Sequence, residues 1–198
     1  GIPTPRLYVV DDPSPNAFAT GRNPDHGVVA VNTGLLQILD QSEVEGVIAH
    51  ELAHIKHRDT LTMAIVASIA GAVMTLAFFA RFAAIFGGGD DEGGGNIFVM
   101  LLVALIAPLA ATMVQLGISR AREYEADRMG AEIAGSPSGL AGALRKLEMG
   151  VGMKPGHMPP AAAHMCIVNP FGGSAGLMNL FRTHPTTEDR IRRLNGLR

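Results

Sequence analysis

The sequence predicts an α+β fold: a mainly helical domain with a small β-sheet, interrupted by a transmembrane helical hairpin. Three observations predict it. Short apolar, β-branched runs broken by Gly, Pro and Asp crowd the first 31 residues. Two long uncharged stretches, Leu61–Ala80 and Ile97–Ile118, occupy the middle of the chain. Helical segments with recognisable caps fill most of the remainder.

Taken in order, Arg6–Val10 reads as a strand, ended by Asp11-Asp12-Pro13-Ser14-Pro15. Asn16–Gly21 is a second extended segment and Gly27–Val31 a third, so a sheet of about three strands is expected to pack on helices. Asn32 or Thr33 can cap a short helix through Leu39. Ser42-Glu43-Val44-Glu45 has the S-x-x-E form of a capping box, which puts the start of the next helix near Glu43. That helix can run past Asp59 into the first apolar stretch with little interruption. After the second stretch, Ser119–Ala134 reads as a helix with Gly135 at its end. Ser136-Pro137 supplies an N-cap followed by proline at the first helical position, opening a helix to about Met149. Residues 150–173 are rich in Gly and Pro and read mainly as loop. Gly176–Phe181 is a short helical candidate, and Thr186-Thr187-Glu188-Asp189 opens a last helix containing Arg190, Ile191 and Leu194.

A twenty-residue helix is about 30 Å long, the thickness of a bilayer's hydrocarbon core. Leu61–Ala80 carries no charge, and Ile97–Ile118 is interrupted only by Pro108 and Gln115. Both are apolar all round rather than striped, and a chain of 198 residues could hardly surround two such helices, so their partner is a lipid bilayer. The hairpin is expected over residues 60–118, with helices at about 61–86 and 97–118 and a flexible glycine-acid loop at 87–95. The loop has three acids and no Lys or Arg, whereas Lys56 and Arg58 precede the first helix and Arg120 and Arg122 follow the second. By the positive-inside rule the basic ends are cytoplasmic. Residues 1–59 and 119–198 then form one domain on that side. Arg81 runs against the trend and can snorkel to the interface.

Composition excludes some classes. Sixteen basic and eighteen acidic residues nearly balance, with no like-charge block, which argues against a nucleic-acid surface. Cys166 is alone, so there is neither an internal disulfide framework nor a cysteine-based zinc site; its role is that of a small buried hydrophobe.

The chemistry lies in His50-Glu51-Leu52-Ala53-His54, an H-E-x-x-H sequence in a helical segment. Positions i and i+4 share a helix face, so both imidazoles can reach one metal ion. Glu51 is set aside from the metal, where the motif implies a general base that takes a proton from water. Two histidines leave a zinc site one protein ligand short. Glu123-Tyr124-Glu125-Ala126-Asp127 directly follows the second apolar helix, as the histidines directly precede the first. Glu123 and Asp127 share one face, so one can bind the metal while the other accepts a hydrogen bond from a ligand histidine. Glu125 points elsewhere. His184 in Thr183-His184-Pro185 is presented by a turn, and Arg190 either orients it or pairs at the surface. His26, His57, His157 and His164 match no motif.

The H-E-L-A-H helix, two hydrophobic spans, S-R-A-R-E-Y-E-A-D and a late T-H-P-T-T-E-D-R-I, in that order over nearly the whole chain, resemble the HtpX family. These are bacterial membrane-bound zinc metalloproteases of the heat-shock response, related to the CAAX prenyl proteases. The resemblance implies one zinc held by His50, His54 and Glu123, with Glu51 as base and Asp127 behind a ligand histidine. It further implies His184 as stabiliser of the oxyanion, and cleavage of unfolded or damaged membrane proteins at the bacterial inner membrane. The family carries further membrane helices ahead of its catalytic part, so an additional N-terminal membrane segment is expected. Polypeptide substrates need an edge to pair with, and Asn16, Ala17 and Phe18 are the candidate edge, a position the resemblance also favours. The competing classes are a membrane scaffold with incidental histidines and a zinc hydrolase of a non-peptide amide.

Overall fold

In the computed structural model, residues 1–86, 94–153 and 185–197 are described. The three β-branched runs pair as one mixed sheet of order β1-β3-β2, formed by β1 (Arg6–Val10), β2 (Ala17–Thr20) and β3 (Val28–Asn32). β1 runs parallel to β3, with Leu7 opposite Val29, and β2 runs antiparallel to it, with Phe18 opposite Ala30. The central strand is buried, β1 is exposed along its length, and β2 lies at the other edge.

Helix α1 (Thr33–Ile38) follows from Asn32, and α2 (Gln41–His57) begins earlier than its S-x-x-E pattern suggests. The capping box is Asp40 with Glu43: the Glu43 amide donates to Asp40 Oδ1 at 3.1 Å, and the Asp40 amide donates to Glu43 Oε2 at 2.9 Å. Leu39, immediately before the cap, is buried in the core with Val44 packed against the same cluster, and this staple selects the earlier register. Glu43 also takes Lys146 Nζ at 2.6 Å, which ties the start of α2 to α5 (Ser138–Met153). Pro137 lies just outside α5 rather than in its first turn, its carbonyl accepting from the Ala141 amide. Four residues expected in a loop, 150–153, continue that helix.

Two compact units emerge. The first comprises Gly1–Leu61 and Ser119–Arg198. Its core sets Val29 and Val31 of the sheet, Leu35, Val47 of α2, Leu140, Leu144 and Leu147 of α5, and Leu194 of α6 (Thr187–Asn195) into one apolar cluster. Two glycines allow close approach. A Cβ on Gly139 would lie 2.2 Å from the Ser42 carbonyl oxygen, and one on Gly130 would lie 2.9 Å from His50 Cα. The second contact brings α4 (Gly94–Ala134) directly over the histidine motif.

The second unit, Thr62–Ile118, holds most of the apolar length of α3 (Asp59–Phe86) and α4. Both helices are long and apolar enough to cross a membrane, and only 11% of each apolar window is buried inside the chain, which a soluble core helix would not tolerate. α4 is one helix from Gly94 to Ala134 rather than two, running through Pro108 without ending. Pro108 has no amide hydrogen to give the carbonyl four residues earlier, that of Ala104. Arg81 fills that role: its Nε and Nη2 donate to the Ala104 oxygen at 3.2 and 2.9 Å. Instead of snorkelling to the interface, this arginine satisfies a carbonyl that proline leaves unpaired. Residues 87–93 of the expected loop, the 176–181 helical candidate, His157, His164, Cys166 and His184 lie outside the described residues.

Candidate metal centre

His50 and His54 sit one turn apart on α2, their rings edge to face with centroids 4.6 Å apart. Their Nε2 atoms approach to 3.1 Å. From α4, Glu123 brings Oε1 to 3.7 Å from His54 Nε2 and Oε2 to 3.8 Å from His50 Nε2. Ligands at about 2.0–2.1 Å around a tetrahedral zinc are separated from one another by about 3.3 Å. Two imidazoles and a carboxylate, with ligand atoms all within 4.8 Å of one another, fit such an ion.

Each histidine has a carboxylate beside its other nitrogen. His50 Nδ1 lies 3.0 Å from Asp127 Oδ1, and His54 Nδ1 lies 2.7 Å from Asp59 Oδ2. Carboxylates at Nδ1 hold the proton there and aim the Nε2 lone pairs at a shared point. Each carboxylate is held in turn by an arginine. Arg190 donates Nη2 and Nε to the two oxygens of Asp127 at 2.7 and 2.9 Å, and Arg122 pairs with Asp59. Two Arg–Asp–His relays therefore converge from α6 and α4.

Arg190 Nη2 is also 3.3 Å from His50 Nε2. A guanidinium can only donate, so His50 Nε2 is an acceptor and His50 carries its proton on Nδ1. His54 Nε2 lies 3.1 Å from the same atom. Burial opposes a charge on His54. The Asp59 hydrogen bond, with Glu123 and Glu51 nearby, overrides it and lifts His54 to about 9.

Glu51 is buried beside the cluster. Burial raises its carboxyl above the ordinary range against the pull of His54 and His50, Glu123 pushes it further up, and the Ala19 backbone amide opposes. That last contact puts the carboxylate against β2. Asn16 directly precedes β2 and is buried, its carbonyl accepting from the Asn32 amide at 2.9 Å; Ala17 is wholly buried and Phe18 half-buried. The Ala17 methyl belongs to the core.

Sequence reasoning left two residues without their part. Asp59 falls just beyond the motif helix, after Arg58 in the left-handed conformation (φ 56°), and that turn places it at His54. Arg190 did carry a signal: with Thr187 and Leu194 it occupies the buried stripe of α6, an arginine where an apolar residue would be expected.

A model of Peptidase family M48 matches residues 1–198. The chain belongs to Peptidase family M48. This M48 chain is 53% identical over 201 residues to the Protease HtpX homolog of Desulfatibacillum aliphaticivorans, covering 100% of this chain and 64% of that protein. It is 56% identical over 196 residues to the Protease HtpX homolog of Pyrococcus furiosus, covering 98% and 68%. The M48 chain thus spans 64% and 68% of the length of these two curated relatives. The resemblance to the HtpX family holds over the whole chain. The crystal structure of S. mikatae Ste24p matches with a TM-score of 0.59 at 21% identity, over 95% of this chain and 44% of that one, and so shares the fold.

Proposed function

We propose that this M48 chain is the catalytic part of a zinc-dependent endopeptidase of the membrane, one that cleaves unfolded or damaged membrane proteins in quality control under stress. The observation that carries this reading is the convergence of His50, His54 and Glu123 beside a buried Glu51. Zinc, when bound there by His50, His54 and Glu123, supplies a Lewis acid and makes water a nucleophile near neutral pH. The chain's own residues do the rest. Glu51 takes the proton from the attacking water and delivers it to the leaving amine, and its raised pKa suits both transfers. Asp127 and Asp59 keep the two imidazoles facing inward. The edge of β2 near Asn16, Ala17 and Phe18 pairs with substrate backbone, which makes cleavage weakly dependent on sequence. His184, presented by Pro185, donates to the oxyanion of the tetrahedral intermediate.

The site works at the cytoplasmic face of a bacterial inner membrane, with the apolar lengths of α3 and α4 in the bilayer and cytosolic loops or released ends of membrane proteins as substrates. Metal analysis and turnover test the core of the reading together. Wild type holds one zinc per chain, His54→Ala and Glu123→Ala lose it, and Glu51→Gln keeps it but loses most turnover. Equal zinc in all four, or near wild-type cleavage by Glu51→Gln, would end it.

A further inference from the structure

Arg81 is the only charged residue among the described residues of Thr62–Ile118. The carbonyl it holds belongs to Ala104, about 10 Å along α4 from Ile97, where the apolar run begins. Arg81 itself lies about 7 Å along the axis from the end of α3 at Phe86. A helical side chain leans towards its own N-terminus, which from Arg81 is the deeper direction. With these helices spanning a bilayer, both measures put the guanidinium in the hydrocarbon layer rather than among the headgroups.

A guanidinium has five N–H donors. Nε and Nη2 each give one to the Ala104 oxygen. Among the described residues no carboxylate pairs with the charge, and no other acceptor meets the donors that are left. Nη1 and the second hydrogen of Nη2 form the end-on edge of the fork, the geometry that grips both oxygens of a carboxylate. Arg81 is exposed, as are Phe78 one turn away on α3 and Leu105 beside Ala104 on α4. The free edge therefore opens sideways, where lipid or another helix would lie.

A charge in hydrocarbon without a counter-charge is unfavourable, so this edge calls for an anion at its own depth. Lipid phosphates lie in the headgroup layer, about 10 Å away, whereas a carboxylate on a neighbouring membrane helix can lie level with it. In an assembled membrane protein such carboxylates face the interior of the bundle and are paired. One that faces lipid belongs to a helix that has lost its partners. We propose that Arg81 docks transmembrane helices carrying an unpaired carboxylate, and that this contact selects which membrane proteins are cleaved. The proposal rests on the proteolytic reading and gives it a substrate mark.

The test uses the full chain in liposomes with Lys-flanked leucine-alanine helices that carry Glu or Gln at the depth of Arg81, each extended by the same unfolded segment. Binding to Glu51→Gln, read by energy transfer from labelled peptide, should be about tenfold tighter for the Glu helix than for the Gln helix, the scale of polar pairing between membrane helices. In the zinc-loaded protein, kcat/KM for the attached segment should follow the same order. Arg81→Gln keeps a donor for the Ala104 carbonyl and removes the charge. It should treat the two helices alike while cutting the unfolded segment alone at the wild-type rate, and Arg81→Lys should restore the preference. Equal binding of the two helices, or a preference that survives Arg81→Gln, overturns the docking site and leaves proteolysis standing. A preference in binding that is absent from cleavage overturns the substrate mark. A zinc-loaded protein that cuts neither helix nor free segment overturns proteolysis, and the binding arm still decides the docking site. If the Glu preference is absent and wild type retains more phosphatidylglycerol than Arg81→Gln, the edge takes a lipid phosphate and the proposal fails.

Discussion

Asp59 Oδ2 lies 2.7 Å from His54 Nδ1 across the break between α2 and α3. The left-handed turn at Arg58 ends one helix and starts the next within a single residue, which leaves Asp59 within reach of the last turn of α2. Asp59 is buried and is also paired with Arg122, the residue before Glu123. One carboxylate thereby orients His54 and holds α4 in register with the motif helix.

Asp59→Asn keeps the size of the side chain and removes its charge. Zinc affinity should fall by about 10- to 100-fold, the usual effect of losing a partner behind a ligand histidine. Arg122→Gln should fall in the same direction, since it leaves Asp59 buried without its counter-charge. Competition with a fluorescent chelator measures both, and affinity equal to wild type in Asp59→Asn would remove it from the metal centre.

Arg190 and Asp127 call for a different experiment, because they are buried at 1% and 2% exposure and paired through two hydrogen bonds. Breaking one partner of such a pair costs about 3–5 kcal/mol, while replacing both with neutral groups of similar volume is close to neutral. Arg190→Met should therefore destabilise the protein strongly, and Arg190→Met with Asp127→Leu should recover most of the stability without recovering zinc affinity. Denaturation midpoints and metal titrations separate the two effects. Recovery of both would make the pair purely structural.

How much of this was legible in the sequence depended on the distance over which each contact acts. His50 and His54 need only the pitch of one helix to face the same way, so their pairing could be read directly. Glu123 and Asp127 could be narrowed to a pair on one face, but their separate places depend on Gly130 bringing α4 against His50, a packing contact with no local signature. The three strands were readable as runs, whereas the parallel pairing of β1 with β3 depends on the chain between them. The capping box failed for another reason: D-x-x-E and S-x-x-E overlap at Asp40 and Ser42, and the buried Leu39 decides between them. Arg81 meets the Ala104 carbonyl 23 residues away because Pro108 strips that carbonyl of its own partner, and only the paired helices reveal it.

The raised pKa of His54 predicts how metal uptake responds to pH. Its folded pKa, about 9, lies above the ordinary 6.5. The stabilisation it gives the metal-free chain is therefore complete below about 6.5 and lost as pH rises through about 9. Zinc must displace the proton on His54, so uptake near pH 7.5 should release about one proton per chain. Apparent affinity should rise roughly tenfold per pH unit until about 9 and then level off. Calorimetry in two buffers of different ionisation enthalpy reports the proton count directly. Release of none would mean that His54 is already neutral in the metal-free chain.

Orientation in the membrane decides which substrates the site can meet. The basic ends, Lys56 and Arg58 before α3 and Arg120 and Arg122 in α4, should hold the catalytic unit in the cytoplasm. The glycine-acid segment 87–95 carries no Lys or Arg to resist translocation and should face the periplasm. Single cysteines at Asp91 and at Ser138, the exposed first residue of α5, test this in intact cells in a Cys166→Ser background. A membrane-impermeant maleimide should label Asp91→Cys and leave Ser138→Cys untouched until the cells are lysed. The reverse pattern would put the metal centre in the periplasm and make exported loops its substrates, while protection at both positions in cells would place the hairpin loop on the same side as the catalytic unit.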